Sequence, residues 1–184
     1  MHRRLTELLD YLDTQRIAVI EAAASLPHDR WLVRPDPNRW SVAEVVTHLH
    51  RVERGVAKLI AKRVGEAKEQ GHPFETEDSS VLGRLDGKHV SDRSRPVQAP
   101  PQVQPPVVPD AATALAMLEE SRVALRESLA QADGLALGTI RHPHPVLGEI
   151  DLYQWILFVG QHEARHRSQI TEAAAAVASE LSVR

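Results

Sequence analysis

Four segments of this chain repeat apolar residues every three or four positions, and no segment alternates apolar and polar residues for long enough to build a sheet. The first segment covers 3–25, the second opens at Ser41, the third follows Asp110 and the fourth follows Asp151. This period is that of the α-helix, and it indicates helices that each bury one face. The sequence therefore predicts an all-α fold, most simply a four-helix bundle.

Residues with capping preferences mark where three of these helices begin. Ser41 and Glu44 form a capping-box pattern, in which each side chain accepts a backbone N–H of the other residue. Asp110 and Asp151 precede the third and fourth segments, and aspartate is a favourable N-cap. We expect the fourth helix to span 152–180. A chain of this length supports one sizeable core, so 1–184 is expected to form a single domain.

Residues 72–109 connect the second and third helices and show no helical period. Their later half is rich in proline, which favours an extended, polyproline-like backbone. The prolines are Pro96, Pro100, Pro101, Pro105, Pro106 and Pro109. So long a connection lets helix three run parallel to helix two, which predicts up-down-down-up order. The simplest interpretation is a crossover strap on the surface. The alternative is a lid or a docking segment.

The composition excludes several classes of function. The net charge is −3, so no global basic field would recruit nucleic acid or an anionic membrane. The chain has no cysteine, which excludes disulfides, thiolate ligands and a cysteine nucleophile. The first ten residues carry acids where a signal peptide needs an apolar core, and no apolar run has the length of a membrane span. We expect a cytoplasmic protein.

Two histidines on the predicted fourth helix have the spacing of metal ligands. His162 and His166 are four residues apart, so both imidazoles would leave the same helix face, one turn apart. Their face is the apolar stripe of the helix, where an imidazole without a partner is costly. Two neutral imidazoles placed in this way can occupy two corners of a metal site.

His48 is the candidate for a third ligand. Val45 and Val52 lie on the same face of the second helix, so His48 would point into the core. His50 precedes Glu53 on its own face and is interpreted as the more solvated of the two. Three neutral imidazoles around a divalent ion leave a fourth position open, as a catalytic site requires. A water or thiol at that position would have a lowered pKa.

Other interpretations of the histidines remain open. The chain has ten histidines, so a four-residue spacing also arises by chance, and the three could be unrelated core residues with hydrogen-bonded neighbours. The run from His162 to His166 matches H-E-x-x-H of zinc proteases, but the extended motif is absent, and Glu163 is interpreted as a flanking polar residue or a partner of a ligand. His142 and His144 are interpreted as part of a solvated loop.

Three motifs, taken in order, resemble the DinB/YfiT-like superfamily of metal-dependent enzymes. The resemblance extends from the second helix to the end of the chain. It rests on Trp40-Ser41-Val42 leading into a helix with His48-Leu49, on His144-Pro145-x-Leu147-Gly148, and on His162-Glu163-Ala164-x-His166-x-x-Gln169-Ile170. The resemblance implies a four-helix bundle in up-down-down-up order. It also implies a metal triad of His48, His162 and His166, holding zinc, nickel or a similar ion.

That superfamily includes bacillithiol transferases and mycothiol-dependent isomerases, so the resemblance also implies a reaction. The expected function is a metal-dependent transferase that joins a small thiol, such as bacillithiol or mycothiol, to a small electrophile. Arg165 and Gln169 are candidate polar anchors for the thiol. The alternatives are a hydrolase that uses activated water and a non-catalytic metal-binding or dimerisation bundle in stress response. A homodimer is expected because Leu9 and Ile60 would leave apolar surface to cover.

Overall fold

Most of the described structure is helical. The computed structural model describes residues 1–94, 98–107 and 110–181. Within these ranges the prediction of a mostly helical chain without a large sheet is confirmed, and the fourth helix agrees with its expected bounds to within one residue at its end. The four long helices are α1 (Arg3–Ala24), α2 (Val42–Glu69), α3 (Ala111–Gln131) and α4 (Leu152–Leu181).

The helix caps are those that the sequence predicts. The Ser41 hydroxyl accepts from the Glu44 N–H at 3.2 Å, and the Glu44 carboxylate accepts from the Ser41 N–H at 2.9 Å. Asp110 caps α3 in the usual way. Asp151 and Gln154 form a second reciprocal pair, with both hydrogen bonds at 2.9 Å. These bonds satisfy N–H groups that a helix start leaves without a partner.

A short β-hairpin precedes α4, where the sequence predicts only a turn-rich loop. Strand β1 (Arg141–His144) pairs antiparallel with β2 (Gly148–Asp151), and Gly148 adopts a left-handed φ of 74° at the turn. Strands of four residues are too short for alternation to be recognised in a sequence. Tertiary packing stabilises the hairpin, since Ile150 is fully buried in the core.

Helices α1 and α4 pack closely and run in the same direction. Arg4 lies over the Tyr153 ring near one end, and Tyr11 meets Gly160 further along both helices. A methyl group at Gly160 would come within 2.9 Å of the Tyr11 ring carbon Cδ1, so only glycine permits this approach.

Helices α2 and α3 also run in the same direction. Arg122 bonds Glu53, and further along both helices in the same direction the Ser128 hydroxyl donates to the Ala57 carbonyl. The connection between them returns the chain across the molecule through two 3₁₀ turns, at Leu82–Lys88 and Pro101–Val103.

A layer of buried charge separates two apolar clusters of the core. One cluster takes residues from the first half of α1 and of α4, and the other takes residues from their second halves. Between them Arg16 donates to Glu163 at 2.7 Å and to Glu53 at 2.6 Å. Arg122 donates to Glu163 at 3.1 Å and to Glu53 at 2.7 Å. None of these four residues is more than 6% exposed. Two cations and two anions balance, as a buried network requires.

No helix within the described residues is both long enough and apolar enough to cross a membrane.

Candidate metal centre

Three histidines meet between α2 and α4. The Nε2 atom of His162 lies 3.3 Å from Nε2 of His48 and 3.1 Å from Nε2 of His166. One ring nitrogen from each residue lies within 4.8 Å of the other two. A tetrahedral zinc site with Zn–N bonds near 2.1 Å separates its ligand nitrogens by about 3.4 Å. The spacing of the three nitrogens is therefore compatible with a single divalent ion bound between them.

The outer nitrogens of two rings are held by hydrogen bonds. His48 Nδ1 lies 2.7 Å from the Val103 carbonyl oxygen, and His166 Nδ1 lies 2.8 Å from the Gln169 side-chain oxygen. Both partners are acceptors, so both Nδ1 atoms carry the proton. The neutral rings of His48 and His166 consequently turn the lone pair of Nε2 towards the centre, which is the usual arrangement around a metal-binding histidine.

The donor set fits a cation at this centre. His162 Nε2 carries at most one proton, and it lies close to two nitrogens that offer lone pairs. With neutral rings, at least one of the two short N···N contacts therefore lacks an optimally placed proton. A divalent ion that accepts all three lone pairs removes this conflict. Three imidazoles suit zinc, nickel, cobalt or copper better than calcium or magnesium.

The three rings are neutral near pH 7, which is the form that binds metal. Burial lowers the pKa of His48 and lowers that of His162 well below its usual value. Burial also lowers the pKa of His166 to about 3, with a smaller contribution from His48. A protonated ring in this place would lose its hydration and face two other rings within hydrogen-bonding distance.

His162 is the most exposed of the three histidines. His48 and His166 are buried, whereas His162 is half-buried. The Trp40 ring packs at 5.0 Å from the His48 ring and closes that side. The Phe158 ring, which is itself buried, lies 5.2 Å from the His162 ring.

The 72–109 connection forms part of the wall of the site. The 3₁₀ turn Pro101–Val103 contacts α2, and its Val103 carbonyl is the partner of His48. Arg93 clamps the same connection to Glu172 of α4 through two hydrogen bonds, one of them 2.9 Å long. The segment is thus more than a surface crossover, and the alternative of a cover over the site gains support from these contacts.

The anchors proposed for a thiol have other partners. Arg165 donates to the Asp92 carbonyl, which holds the strap against α4. Gln169 accepts from His166. A cleft of about 310 Å³ lies between residues 85–92 and Gln161, and none of the three histidines lines it. Of the residues that line this cleft, Gln161 is the nearest in sequence to the triad, since it directly precedes His162.

Glu163 lies in the buried charge layer. Its two carboxylate oxygens accept hydrogen bonds from Arg16 and Arg122, and only 1% of its surface is exposed. The interpretation of Glu163 as a flanking polar residue or a partner of a metal ligand is therefore wrong. The same contacts leave no base of the H-E-x-x-H type directed at the centre. The repeat of apolar residues every three or four positions predicts that His162 faces the core. Because Glu163 is the next residue on the same helix, this repeat could also have predicted that Glu163 lies close to the core.

Two other histidines, His50 and His144, lie near the site in different surroundings. His50 is half-buried, and its Nδ1 bonds the Met117 carbonyl, which agrees with its exclusion from the ligand set. His144 does not lie in a solvated loop, because it is half-buried on β1 against Trp155 and Phe158. Sequence reasoning missed this aromatic wall, since its parts lie on a hairpin and a helix.

The fold and the site together define a helical protein with a possible three-histidine metal centre. The chain belongs to the DinB superfamily, whose family model matches residues 11–170. It is 29% identical over 141 residues to YuaE, an uncharacterized protein of Bacillus subtilis (strain 168), a match that covers 76% of this chain and 80% of that protein. No solved structure matches the chain significantly.

Proposed function

We propose that this protein is a metal-dependent enzyme in which His48, His162 and His166 bind one divalent ion, such as Zn²⁺ or Ni²⁺. The observation that carries the proposal is the convergence of three Nε2 atoms, two of them directed inward by Val103 and Gln169. No fourth histidine or carboxylate joins this group among the described residues. A site with three protein ligands keeps one position for a reactant, as catalytic zinc sites do.

The reaction that we propose is transfer of a low-molecular-weight thiol to a small electrophile. A divalent ion supplies positive charge that lowers the pKa of a thiol or water at its open position. The chain has no cysteine, so the thiol must come from outside, and bacillithiol and mycothiol are the candidates that the family resemblance suggests. Trp40 and the strap keep water from two sides of the centre, while the half-buried His162 side admits reactants.

Two further features belong to the same proposal. The common direction of α1 with α4 and of α2 with α3 favours an up-down-down-up four-helix bundle that forms a single domain. A cytoplasmic location would supply the reduced thiol. A homodimer stays a prediction. The expectation that Leu9 and Ile60 leave apolar surface for a partner is wrong, because Ile60 is fully buried and Leu9 packs against the core.

Metal analysis of the purified protein tests the ligand set. We expect about one equivalent of a divalent metal in the wild type and in His50→Ala, and a large loss in His48→Ala and His166→Ala. His50→Ala is the matched control, because it removes a neighbouring half-buried imidazole that lies outside the triad. Equal metal content in His166→Ala and the wild type would overturn the site.

Thiol consumption tests the reaction. The metal-loaded protein is mixed with bacillithiol, mycothiol or glutathione and a small electrophile, and free thiol is followed with time. A rate that disappears on metal removal supports the transferase. Metal-dependent hydrolysis of an ester or amide, without any thiol reaction, would favour activated water. No activity of either kind in a protein that binds metal would favour a non-catalytic role.

A further inference from the structure

His144 lies one aromatic ring away from His162, the most exposed of the three histidines of the metal centre. Its ring packs 4.7 Å from the Trp155 ring and 4.5 Å from the Phe158 ring, measured between centroids. Phe158 in turn lies 5.2 Å from the ring of His162, the most exposed of the three histidines. The partial burial and the two aromatic contacts fix the plane of the imidazole ring.

The hairpin turn determines which nitrogen of His144 carries the proton. The backbone N–H groups of Val146 and Leu147 both donate to Nδ1, each over 3.1 Å. An atom that accepts two hydrogen bonds cannot itself be protonated, so the neutral ring carries its proton on Nε2. The ring is neutral near pH 7, because burial lowers its pKa to about 4. Nε2–H is therefore a fixed donor.

This donor has no assigned partner. Within residues 1–94, 98–107 and 110–181, no protein acceptor bonds Nε2 of His144, and the residue is half-buried. His144 is also not a fourth ligand, since it lies outside the group of ring nitrogens that converge on the centre. It is nevertheless close to His162, because the Phe158 ring contacts both imidazoles.

We propose that His144 Nε2–H donates a hydrogen bond to the substrate, whose reacting end lies at the metal and whose body crosses Phe158. The inference rests on the proposed metal site and names the substrate class that the site would take. A small molecule with a flat, apolar body would suit contact with the small exposed part of Phe158, which is 8% exposed. The Nε2–H donor of His144 requires that the end of the substrate farther from the metal carry an acceptor, such as a carbonyl or carboxylate oxygen.

A pair of aromatic thiols tests this arrangement. 4-Mercaptobenzoate has a sulfur that binds soft metals, a flat body and a carboxylate at the far end, whereas thiophenol lacks the carboxylate. Binding of each to the Co²⁺-loaded protein is followed by the sulfur-to-cobalt charge-transfer absorption. We expect the wild type to bind 4-mercaptobenzoate tighter than thiophenol by about tenfold or more, the effect of one hydrogen bond to a charged group.

Three substitutions separate the donor from the structural roles of the ring. His144→Gln places an amide N–H₂ near the position of Nε2 and should retain much of the preference. His144→Asn keeps an acceptor near the position of Nδ1 for the hairpin turn but loses the donor. His144→Phe keeps only the aromatic packing. We expect the preference to fall to near one in His144→Asn and His144→Phe, while Co²⁺ affinity stays unchanged in all three.

The possible results distinguish the role of His144 from the proposed metal site. An undiminished preference in both His144→Asn and His144→Phe would overturn the role of His144 and leave the metal site standing. Loss of Co²⁺ from every His144 variant would make His144 a ligand instead of a substrate donor. Failure of the wild type to bind Co²⁺ or zinc would overturn the proposed function itself, and with it this inference.

Discussion

Replacement of Glu163 by glutamine tests whether this residue belongs to catalysis or to the core. The change keeps the shape of the side chain and removes one negative charge. In the native protein Glu163 Oε1 accepts from Arg16 at 2.7 Å, and both of its oxygens accept from Arg122 at 3.1 Å. Glu163→Gln leaves two buried guanidinium groups with one buried carboxylate, that of Glu53, as the remaining balance.

The expected cost is large because the imbalance is buried. Removal of one partner from a buried ion pair costs about 3–5 kcal/mol, since the other charge loses its compensation. That is a substantial part of the roughly 5–15 kcal/mol by which a native domain is stable. At about 2–4 °C per kcal/mol for a chain of this size, the melting temperature should fall by about 6–20 °C.

Urea unfolding and thermal melting followed by circular dichroism measure this cost, and metal analysis below the melting transition measures the site. Glu66→Gln is the control, because Glu66 forms a partly exposed pair with Arg63 that should contribute less than about 1 kcal/mol. Arg122→Met combined with Glu163→Gln restores the charge balance, so the double variant should be less destabilised than the sum of the two changes.

The reasoning is refuted if Glu163→Gln unfolds within about 1 kcal/mol of the wild type, which is the range of surface pairs. It is refuted in another way if the variant keeps its stability but loses metal or activity. That second pattern would identify Glu163 as a base or a ligand partner, as the H-E-x-x-H motif suggests.

Three further predictions follow from local contacts. Gly160→Ala should destabilise the protein by about 1–3 kcal/mol, because the new methyl meets Tyr11, whereas Gly65→Ala in open space on α2 should stabilise it by up to about 1 kcal/mol; urea unfolding compares the two. Ser41→Ala should cost about 1 kcal/mol by the same measurement, since it removes the capping box. Gln169→Leu should weaken zinc binding by about 10–100-fold in a chelator competition while the protein stays folded, and an unchanged affinity would show that the His166 partner has no role.

Much of the fold was predictable because its signals are local. The apolar period of each helix and the capping pairs at Ser41, Asp110 and Asp151 depend on residues within a few positions of one another. The pairing of His162 with His166 is local in the same sense, and the apolar face of α2 distinguished His48 from its neighbour His50. These local patterns determined the helices and selected the three histidines.

The rest depends on how the helices and the hairpin pack. Arg16 and Glu163 are 147 positions apart, so no local pattern could match the buried arginine to the carboxylate that balances it. The Val103 carbonyl that orients His48 belongs to a connection without regular period. The donor nitrogen of His144 was set by two N–H groups of a hairpin turn that the sequence did not predict. By itself the sequence determined where the helices form and that His48, His162 and His166 lie on their apolar faces. Only the tertiary structure decided which partner each of them meets, because hydrogen bonds and ion pairs depend on distances of about 3 Å that arise when separate elements pack.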